Sequence, residues 1–150
     1  MKNVLLFLLI FIPLRMYAPL LGHTLPAELP LEERILTEPF SEELLKEALN
    51  LYVAHPDIAL AQAKLETGHF TSPVFLENNN LFGMHPPKVR ETLSVGSNRK
   101  CAVYLTWLDS VKDYALLQDY YFAKGRTIDY ILKVYCPNKE YTNRVYKLMS

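Results

Sequence analysis

The chain has 150 residues, of which 50% are hydrophobic and 21% are charged, and its 16 basic residues balance 16 acidic ones. This length and composition are typical of one globular domain with a sizeable core, and they exclude a disordered chain. No basic stripe stands out, so we expect no nucleic acid partner. Ten tyrosines and seven phenylalanines are many for this size, and exposed tyrosines suit the flat faces of sugar rings.

The first 18 residues have the order of a signal peptide. Lys2 gives a short positive segment, and the 11 residues at 4–14 are all apolar. Such a run is too short to span a membrane and has the usual length of a signal-peptide apolar region. Ala18 is a candidate last residue of the signal, although Met16 fits poorly where a small residue is expected. We therefore predict export, with no membrane span after cleavage. An uncleaved anchor and an apolar helix within the fold are the alternatives.

Residues 19–40 contain four prolines, which predict an extended linker or an N-terminal arm that wraps the domain. The domain is predicted to occupy 41–150. In SEELLKEALNLYV, Ser41 is a good N-cap and apolar residues recur at helical spacing. The next segment, HPDIALAQAKLETG, predicts a helix that begins at Pro56 or Asp57 and ends at Gly68. Because this helix is apolar nearly all round, we expect it to be buried at the centre.

One acidic residue, Glu66, breaks the apolar pattern in the last turn of that helix. The C-terminal end of a helix carries partial negative charge, so a carboxylate there is poorly placed for stability. Burial and the helix dipole both disfavour the charged form, so we expect a raised pKa, as a general acid requires. Small neighbours such as Ala63 would leave room for a substrate. The competing interpretation is an exposed glutamate paired with Lys64 or His69, and helix position alone favours it.

The rest of the chain predicts a loop, a hairpin and three more helices. Residues 69–89 have no helical period and contain Asn78, Asn79 and Asn80, whose amides can hold a tight turn or bind sugar hydroxyls. ETLSVGSNRKCAVYLTW predicts a short β-hairpin that turns near 96–98 and returns over 102–107. Helices are expected at LDSVKDYALLQDYYFAKG, TIDYILKVY and NKEYTNRVYKLM, the last two capped by Thr127 and Asn138. The predicted fold class is therefore α+β, mostly α, with a small β-hairpin lobe.

The two cysteines, Cys101 and Cys136, fit either a disulfide in an oxidising compartment or two buried free thiols. They form no CxxC pair, and no second histidine stands four residues from His69. A zinc site is therefore not predicted. We expect neither a metal nor a cofactor.

Two motifs in fixed order carry a resemblance to a known family. AQAKLETGHFTS followed by NNLFGM resembles the glucosaminidase (endo-beta-N-acetylglucosaminidase-like) domain of bacterial autolysins, glycoside hydrolase family 73. That family's pattern is similar to A-x-x-x-x-E-[ST]-G-x-x-x-S and then N-N-L-F-G-[ILM], which the chain matches between Ala61 and Met84. AVYLTWLDSVKDY and YCPNKEYTNRVYKL resemble two later family segments. The resemblance covers roughly residues 41–149, and the first two motifs are its specific part.

The resemblance implies a lysozyme-like helical domain that hydrolyses the β-1,4 bond from N-acetylglucosamine to N-acetylmuramic acid in peptidoglycan. Glu66 would be the general acid. Tyr141 would be the active-site tyrosine that positions the acetamido group or a water, and Tyr135 would line the same groove. Trp107 could serve as a sugar platform, but its position at the junction of a strand and a helix favours the core. Further substrate-binding residues would come from the NNLFG segment: Asn79, Asn80, Phe82 and Gly83.

A second catalytic carboxylate is expected in the β-lobe of this family, since most glycosidases use two. Glu91, at the start of the predicted hairpin, is the first candidate, and Glu77 is the alternative. If neither reaches the sugar, the 2-acetamido oxygen of the substrate could act as the nucleophile.

The predicted function is thus an exported, monomeric peptidoglycan hydrolase of the periplasm or the extracellular wall, with glycan strands as its partner. A muramidase or lytic transglycosylase on the same lysozyme-like framework is one alternative. A catalytically weak wall-binding module is the other.

Overall fold

Helices with strong caps account for most of the fold. The computed structural model describes residues 29–149, which form seven helices and two short strands. In chain order they are α1 (Leu31–Thr37), α2 (Glu42–Tyr52), α3 (Pro56–Thr67), α4 (Pro73–Asn78), β1 (Gly96–Asn98), β2 (Cys101–Val103), α5 (Trp107–Phe122), α6 (Ile128–Tyr135) and α7 (Lys139–Lys147). The predicted class, α+β and mostly α, is confirmed.

The predicted helix ends are confirmed where a cap marks them. Ser41 accepts a backbone hydrogen bond at the start of α2, and Thr127 and Asn138 do the same for α6 and α7. Gly68 ends α3 with a left-handed φ of 55°, a conformation that glycine adopts at low cost. Caps of this kind are local, so they can be recognised without knowledge of the tertiary fold.

Helix α3 lies between two apolar clusters, which confirms its predicted central position. Ala59 and Ala63 belong to the larger cluster, with α2, the 81–84 segment and α5. Ile58 and Ala61 belong to a smaller cluster with α6 and α7. Because alanine is small, neighbouring helices can approach α3 closely. The end of α3, and with it Glu66, is therefore fixed from two directions.

The predicted signal peptide at 1–18 and most of the predicted linker at 19–40 lie outside the described residues. The last part of that linker contains a helix, α1, where an extended segment or an arm is expected. Leu31 of α1 is buried, and Arg34 donates a hydrogen bond of 2.7 Å to Glu47 of α2. Within residues 29–149, no helix has the length and hydropathy that a membrane span requires.

Two local predictions are wrong. The 69–89 loop contains a helix, α4, which Ser72 caps and Pro73 begins. With six residues it is too short to show a helical period in the sequence. The hairpin turns at Arg99 and Lys100, both with positive φ, rather than at 96–98, which forms β1. The predicted return strand at 102–107 is also too long, since β2 ends at Val103.

A buried ion pair fixes the segment before β1 against α5. Arg90 donates two hydrogen bonds of 3.0 Å to the two carboxylate oxygens of Asp113. Asp113 also accepts from the Tyr104 hydroxyl at 2.8 Å and from Leu93 N at 3.0 Å. Burial by itself would raise the pKa of Asp113, but the hydrogen bonds from Arg90 and Tyr104 outweigh it and hold that pKa below its usual value.

We expect Asp113→Asn to lower the free energy of unfolding by about 3 kcal/mol at neutral pH, because Arg90 is left buried without its counter-charge. A lowered folded-state pKa stabilises the fold above the unfolded pKa, and this contribution is lost as the pH falls through the folded value. The difference between wild type and variant should therefore shrink below about pH 4. Urea-induced unfolding of wild type and variant at several pH values measures this difference.

The matched control is Glu77→Gln, which removes one partner of the exposed ion pair with Arg99. Exposed pairs contribute little to stability, so this variant should unfold close to wild type at every pH. An equal loss in the free energy of unfolding for both variants would contradict a stabilising role for the buried hydrogen bonds of Asp113.

Candidate active site

Glu66 lies at the wall of a cavity of about 380 Å³ beside the last turn of α3. The cavity lies between the 83–90 segment and helices α5 and α6. Among the described residues that line it, Glu66 carries the only carboxyl group. The lining consists of Glu66, Gly83, Met84, His85, Pro87, Arg90, Leu117, Tyr121, Ile131, Val134, Tyr135 and Cys136.

Gly83 brings its backbone against the carboxyl group. Its φ is +62°, and a Cβ built on it would lie 3.4 Å from Glu66 Oε2. A side chain here would be strained by the left-handed backbone and would crowd that oxygen. Glycine therefore keeps Oε2 accessible from the cavity.

Tyr141 of α7 holds the other carboxyl oxygen. Its hydroxyl donates a hydrogen bond of 2.5 Å to Glu66 Oε1, and it accepts one of 3.0 Å from Gln62 Nε2. The Tyr114 hydroxyl donates in turn to Gln62 Oε1. Because the amide nitrogen of Gln62 can only donate, the proton of Tyr141 is directed at Glu66. A continuous hydrogen-bond chain thus runs from α5 through α3 to α7 and back to the carboxyl group.

The environment raises the pKa of Glu66. Burial is the largest cause, while the hydrogen bond from Tyr141 and the positive charge of Arg144 act in the opposite direction and only partly offset it. The pKa of Tyr141 is also raised, chiefly by burial, so its hydroxyl keeps its proton. A carboxyl group with a raised pKa, beside a donor that keeps its own proton, is suited to proton transfer.

Tyr135 lies beside this pair, as expected for a residue that lines the groove. It belongs to the cavity wall, and its ring stacks on that of Tyr141 with 6.4 Å between centroids. Its hydroxyl donates to the carbonyl of Phe82. Tyr135 therefore ties α6 to the loop that presents Gly83.

The asparagines of the NNLFG segment hold the loop through side-chain hydrogen bonds. Asn80 Nδ2 donates to the carbonyls of Met84 and Ala102, both at 2.9 Å, and its Oδ1 accepts from two backbone N–H groups. Asn79 caps α4 at a φ of 53° and donates to the carbonyls of Tyr104 and Leu105. These amides replace backbone partners and hold the loop that forms part of the cavity wall, and their contact with substrate stays a prediction.

Phe82 and Trp107 both lie in the apolar core. Phe82 is fully buried and stacks on Tyr114 at 4.2 Å between ring centroids. Trp107 is buried at the start of α5 and packs edge-on against Phe40. Neither ring lines the cavity. Of the predicted substrate-binding residues, the structure brings only Gly83 and Tyr135 to the cavity wall.

The two candidates for a second carboxylate lie away from this wall. Glu91 is exposed in the segment before β1 and does not line the cavity, although Arg90 beside it does. Glu77 is exposed in α4 and forms a bidentate pair with Arg99, which lowers its pKa. Cys101 and Cys136 are both free thiols, and Cys136 lies in the cavity wall.

Gln62 is the functional residue that sequence reasoning missed. It is fully buried, one helical turn before Glu66 on the same face of α3. The available signal was a lone amide in an otherwise apolar helix, at i−4 from the acidic residue. Its two partners, Tyr114 and Tyr141, are 52 and 79 residues away in the chain, so the sequence does not reveal them.

These features first define a class. A carboxyl group with a raised pKa at the wall of a cavity, hydrogen-bonded by Tyr141, is suited to act as a general acid. The family model described as glucosaminidase, mannosyl-glycoprotein endo-beta-N-acetylglucosaminidase, matches residues 42–150. The chain belongs to this family, which confirms the resemblance, and it is accordingly a glycoside hydrolase acting on peptidoglycan. No curated protein and no solved structure matches it.

We expect Tyr141→Phe to raise the pKa of Glu66 further, because the variant removes a hydrogen bond that favours the carboxylate and leaves the burial in place. Carbon-13 NMR titration of the glutamate carboxyl groups measures this without any assay of activity. Tyr146→Phe is the matched control, since it removes a hydroxyl from the same helix that donates to Asp129. A Glu66 pKa that stays constant or falls in Tyr141→Phe would refute the assigned hydrogen bond.

Proposed function

We propose that the protein is an exported N-acetylglucosaminidase that cleaves the β-1,4 bond between N-acetylglucosamine and N-acetylmuramic acid, with Glu66 as the general acid. The observation that carries the proposal is the Glu66 carboxyl group, half-buried at the cavity wall and held through Oε1 by Tyr141. Its raised pKa keeps a fraction protonated at the pH where a free carboxyl group would be ionised.

The two carboxyl oxygens of Glu66 take different roles in this mechanism. Oε1 accepts from Tyr141 and stays fixed. Oε2, next to the open backbone of Gly83, carries the proton and delivers it to the glycosidic oxygen as the bond from C1 to that oxygen breaks. Muramic acid leaves with its O4 protonated. Glu66, now a carboxylate, then accepts a proton from the water that attacks C1.

We propose that the 2-acetamido group of the substrate supplies the second catalytic function. Among the described residues no other carboxyl group lines the cavity, and Glu91 and Glu77 are both exposed outside it. The acetamido carbonyl oxygen bonds to C1 as the leaving group departs, which gives a cyclic oxazolinium ion. Water then opens this ring at C1, and the sugar anomer is retained.

The proposed export is supported by the order of the first 18 residues, with Lys2 before an apolar run. The substrate class supports it, because peptidoglycan lies outside the cytoplasmic membrane. We therefore propose a site of action in the periplasm or the extracellular wall.

Digestion of purified peptidoglycan, followed by reduction and mass spectrometry, tests the proposal. Wild type should release fragments that end in reduced N-acetylglucosamine, and Glu66→Gln should release at least about a thousandfold less, because the amide cannot donate the catalytic proton. Glu43→Gln, an exposed acid-to-amide change on α2, is the matched control and should act like wild type. Circular dichroism checks that both variants fold.

The ends of the fragments distinguish the alternatives. Reduced muramic acid ends would overturn the proposed bond in favour of a muramidase, and anhydro-muramic acid ends would indicate a lytic transglycosylase. Binding to the wall with no fragments from wild type would indicate a binding module and remove the assigned role of Glu66.

A separate variant tests the source of the second function. We expect Glu91→Gln to keep wild-type kcat within about threefold, since an exposed side chain outside the cavity wall does not reach the sugar. A loss comparable to that of Glu66→Gln would instead make Glu91 the second catalytic carboxylate and would reject the acetamido mechanism.

A further inference from the structure

The cavity of Glu66 has an apolar side to which the proposed mechanism gives no role. On α5 this side consists of Leu117 and Tyr121, and on α6 it includes Ile131 and Val134. Residues three or four positions apart lie on one face of a helix, so each helix turns an apolar face to the cavity. Val134 is 48% exposed, and Tyr121 is also partly open to solvent. We refer to these four residues as the apolar wall.

Tyr121 is the aromatic member of the apolar wall, and its ring is held by neighbouring rings. It packs edge-on against Tyr120 at 5.2 Å between centroids and against Tyr130 of α6 at 5.7 Å. The other tyrosine of the cavity, Tyr135, uses its hydroxyl to bind the carbonyl of Phe82. Among the described residues, none forms a hydrogen bond with the Tyr121 hydroxyl. The ring is therefore fixed while the hydroxyl is available to a ligand.

The contacts of α6 place Tyr121 along the cavity from the acid. Tyr121 contacts Tyr130, which lies near the start of α6. Tyr135, the last residue of that helix, stacks on Tyr141, which holds Glu66. The interval from Tyr130 to Tyr135 spans about 7.5 Å of helix. A sugar ring on Tyr121 would thus lie beside the acid and not directly on it.

We propose that an N-acetylhexosamine ring of the glycan strand stacks on Tyr121, next to the sugar whose bond is cleaved. This inference deepens the proposed function and rests on it. One face of a pyranose ring consists of C–H groups, which pack favourably on an aromatic ring, whereas its edge carries hydroxyls that need polar partners. The Tyr121 ring with its available hydroxyl offers both kinds of contact.

A purely structural role for Tyr121 is the competing explanation, since its contact with Tyr130 joins α5 to α6. That role predicts that loss of the ring lowers the free energy of unfolding and leaves KM unchanged. Stacking predicts a rise in KM that depends on a flat ring. A contact that is equally strong in the ground state and the transition state changes KM and not kcat.

The test compares two variants at Tyr121 on soluble, uncrosslinked glycan strands. Tyr121→Leu keeps an apolar side chain but removes the flat ring, so we expect KM to rise about fivefold with kcat nearly unchanged. Tyr121→Phe keeps the ring, so its KM should stay within about twofold of wild type. Tyr120→Leu is the matched control, with the same change one position earlier at a side chain that does not line the cavity. It should leave KM unchanged, and urea-induced unfolding checks the stability of all three.

Calorimetric titration with the β-1,4-linked trimer of N-acetylglucosamine measures sugar binding without turnover. The parent protein is Glu66→Gln, which lacks the proposed acid. Adding Tyr121→Leu to it should raise Kd about fivefold, as for KM, whereas adding Tyr120→Leu should not change Kd.

Values of KM and Kd that do not change in Tyr121→Leu would overturn the stacking site, and so would equal rises in Tyr120→Leu. A rise in Tyr121→Phe as large as that in Tyr121→Leu would reject stacking in favour of a hydrogen bond from the hydroxyl. Fragments from wild type that end in reduced muramic acid would overturn the proposed bond specificity instead. The trimer titration would still decide the role of Tyr121, so the two failures are distinguishable.

Discussion

The hydrogen bond between Tyr141 and Glu66 joins the end of the central helix to the last helix of the chain, and the site depends on it. Helix α7 packs on α3 through the smaller apolar cluster, which places Tyr141 within 2.5 Å of the carboxyl group. Gln62 and Tyr114 then determine the direction of the proton. If the amide were turned over, both hydrogen bonds would reverse, because a tyrosine hydroxyl can donate or accept, and the proton of Tyr141 would point at Gln62 instead of Glu66. The packing of α3, α5 and α7 therefore determines which hydrogen bond Glu66 Oε1 accepts.

The loop that faces Glu66 is held by side-chain hydrogen bonds and not by helix packing. The 78–84 segment has little regular structure of its own, so its buried backbone groups need other partners. Asn80 supplies four of these hydrogen bonds from one side chain, and Asn79 reaches the carbonyls at the end of the hairpin. The hairpin thus supports the loop, and the loop brings the backbone of Gly83 against Glu66 Oε2.

Local sequence signals were sufficient to predict the helix ends that are determined by local interactions. Ser41, Gly68, Thr127 and Asn138 act as caps within a few residues of themselves, and each helix end they predict is observed. Glu66 was found because it violates such a local rule. The pattern failed where the signal is short or misleading. Helix α4 buries few residues, and the hairpin turns at Arg99 and Lys100, which adopt positive φ without the usual Asn or Gly.

The roles of individual side chains were harder to predict because they depend on contacts between distant parts of the chain. A motif residue such as Asn80 or Phe82 can bind substrate or stabilise the fold. The sequence does not distinguish these two roles, because they differ only in the contacts that the side chain makes. The Asn80 side chain forms hydrogen bonds within the protein, and the Phe82 ring stacks on Tyr114. The reverse holds for Gln62, which no motif marked and whose partners are 52 and 79 residues away. Contacts between residues close together in the sequence could be predicted, whereas contacts between distant residues could not, whatever the residue type.

Glu66 lies in the last turn of α3, where the helix dipole is unfavourable for a carboxylate. A general acid must hold its proton against water and yet release it, so its environment has to balance burial against charge. Burial raises the pKa of Glu66, while Tyr141 and Arg144 restrain the rise. Tyr141 and Arg144 lie one turn apart on α7, so a single helix supplies both the hydrogen bond and the nearby positive charge that restrain the pKa of Glu66.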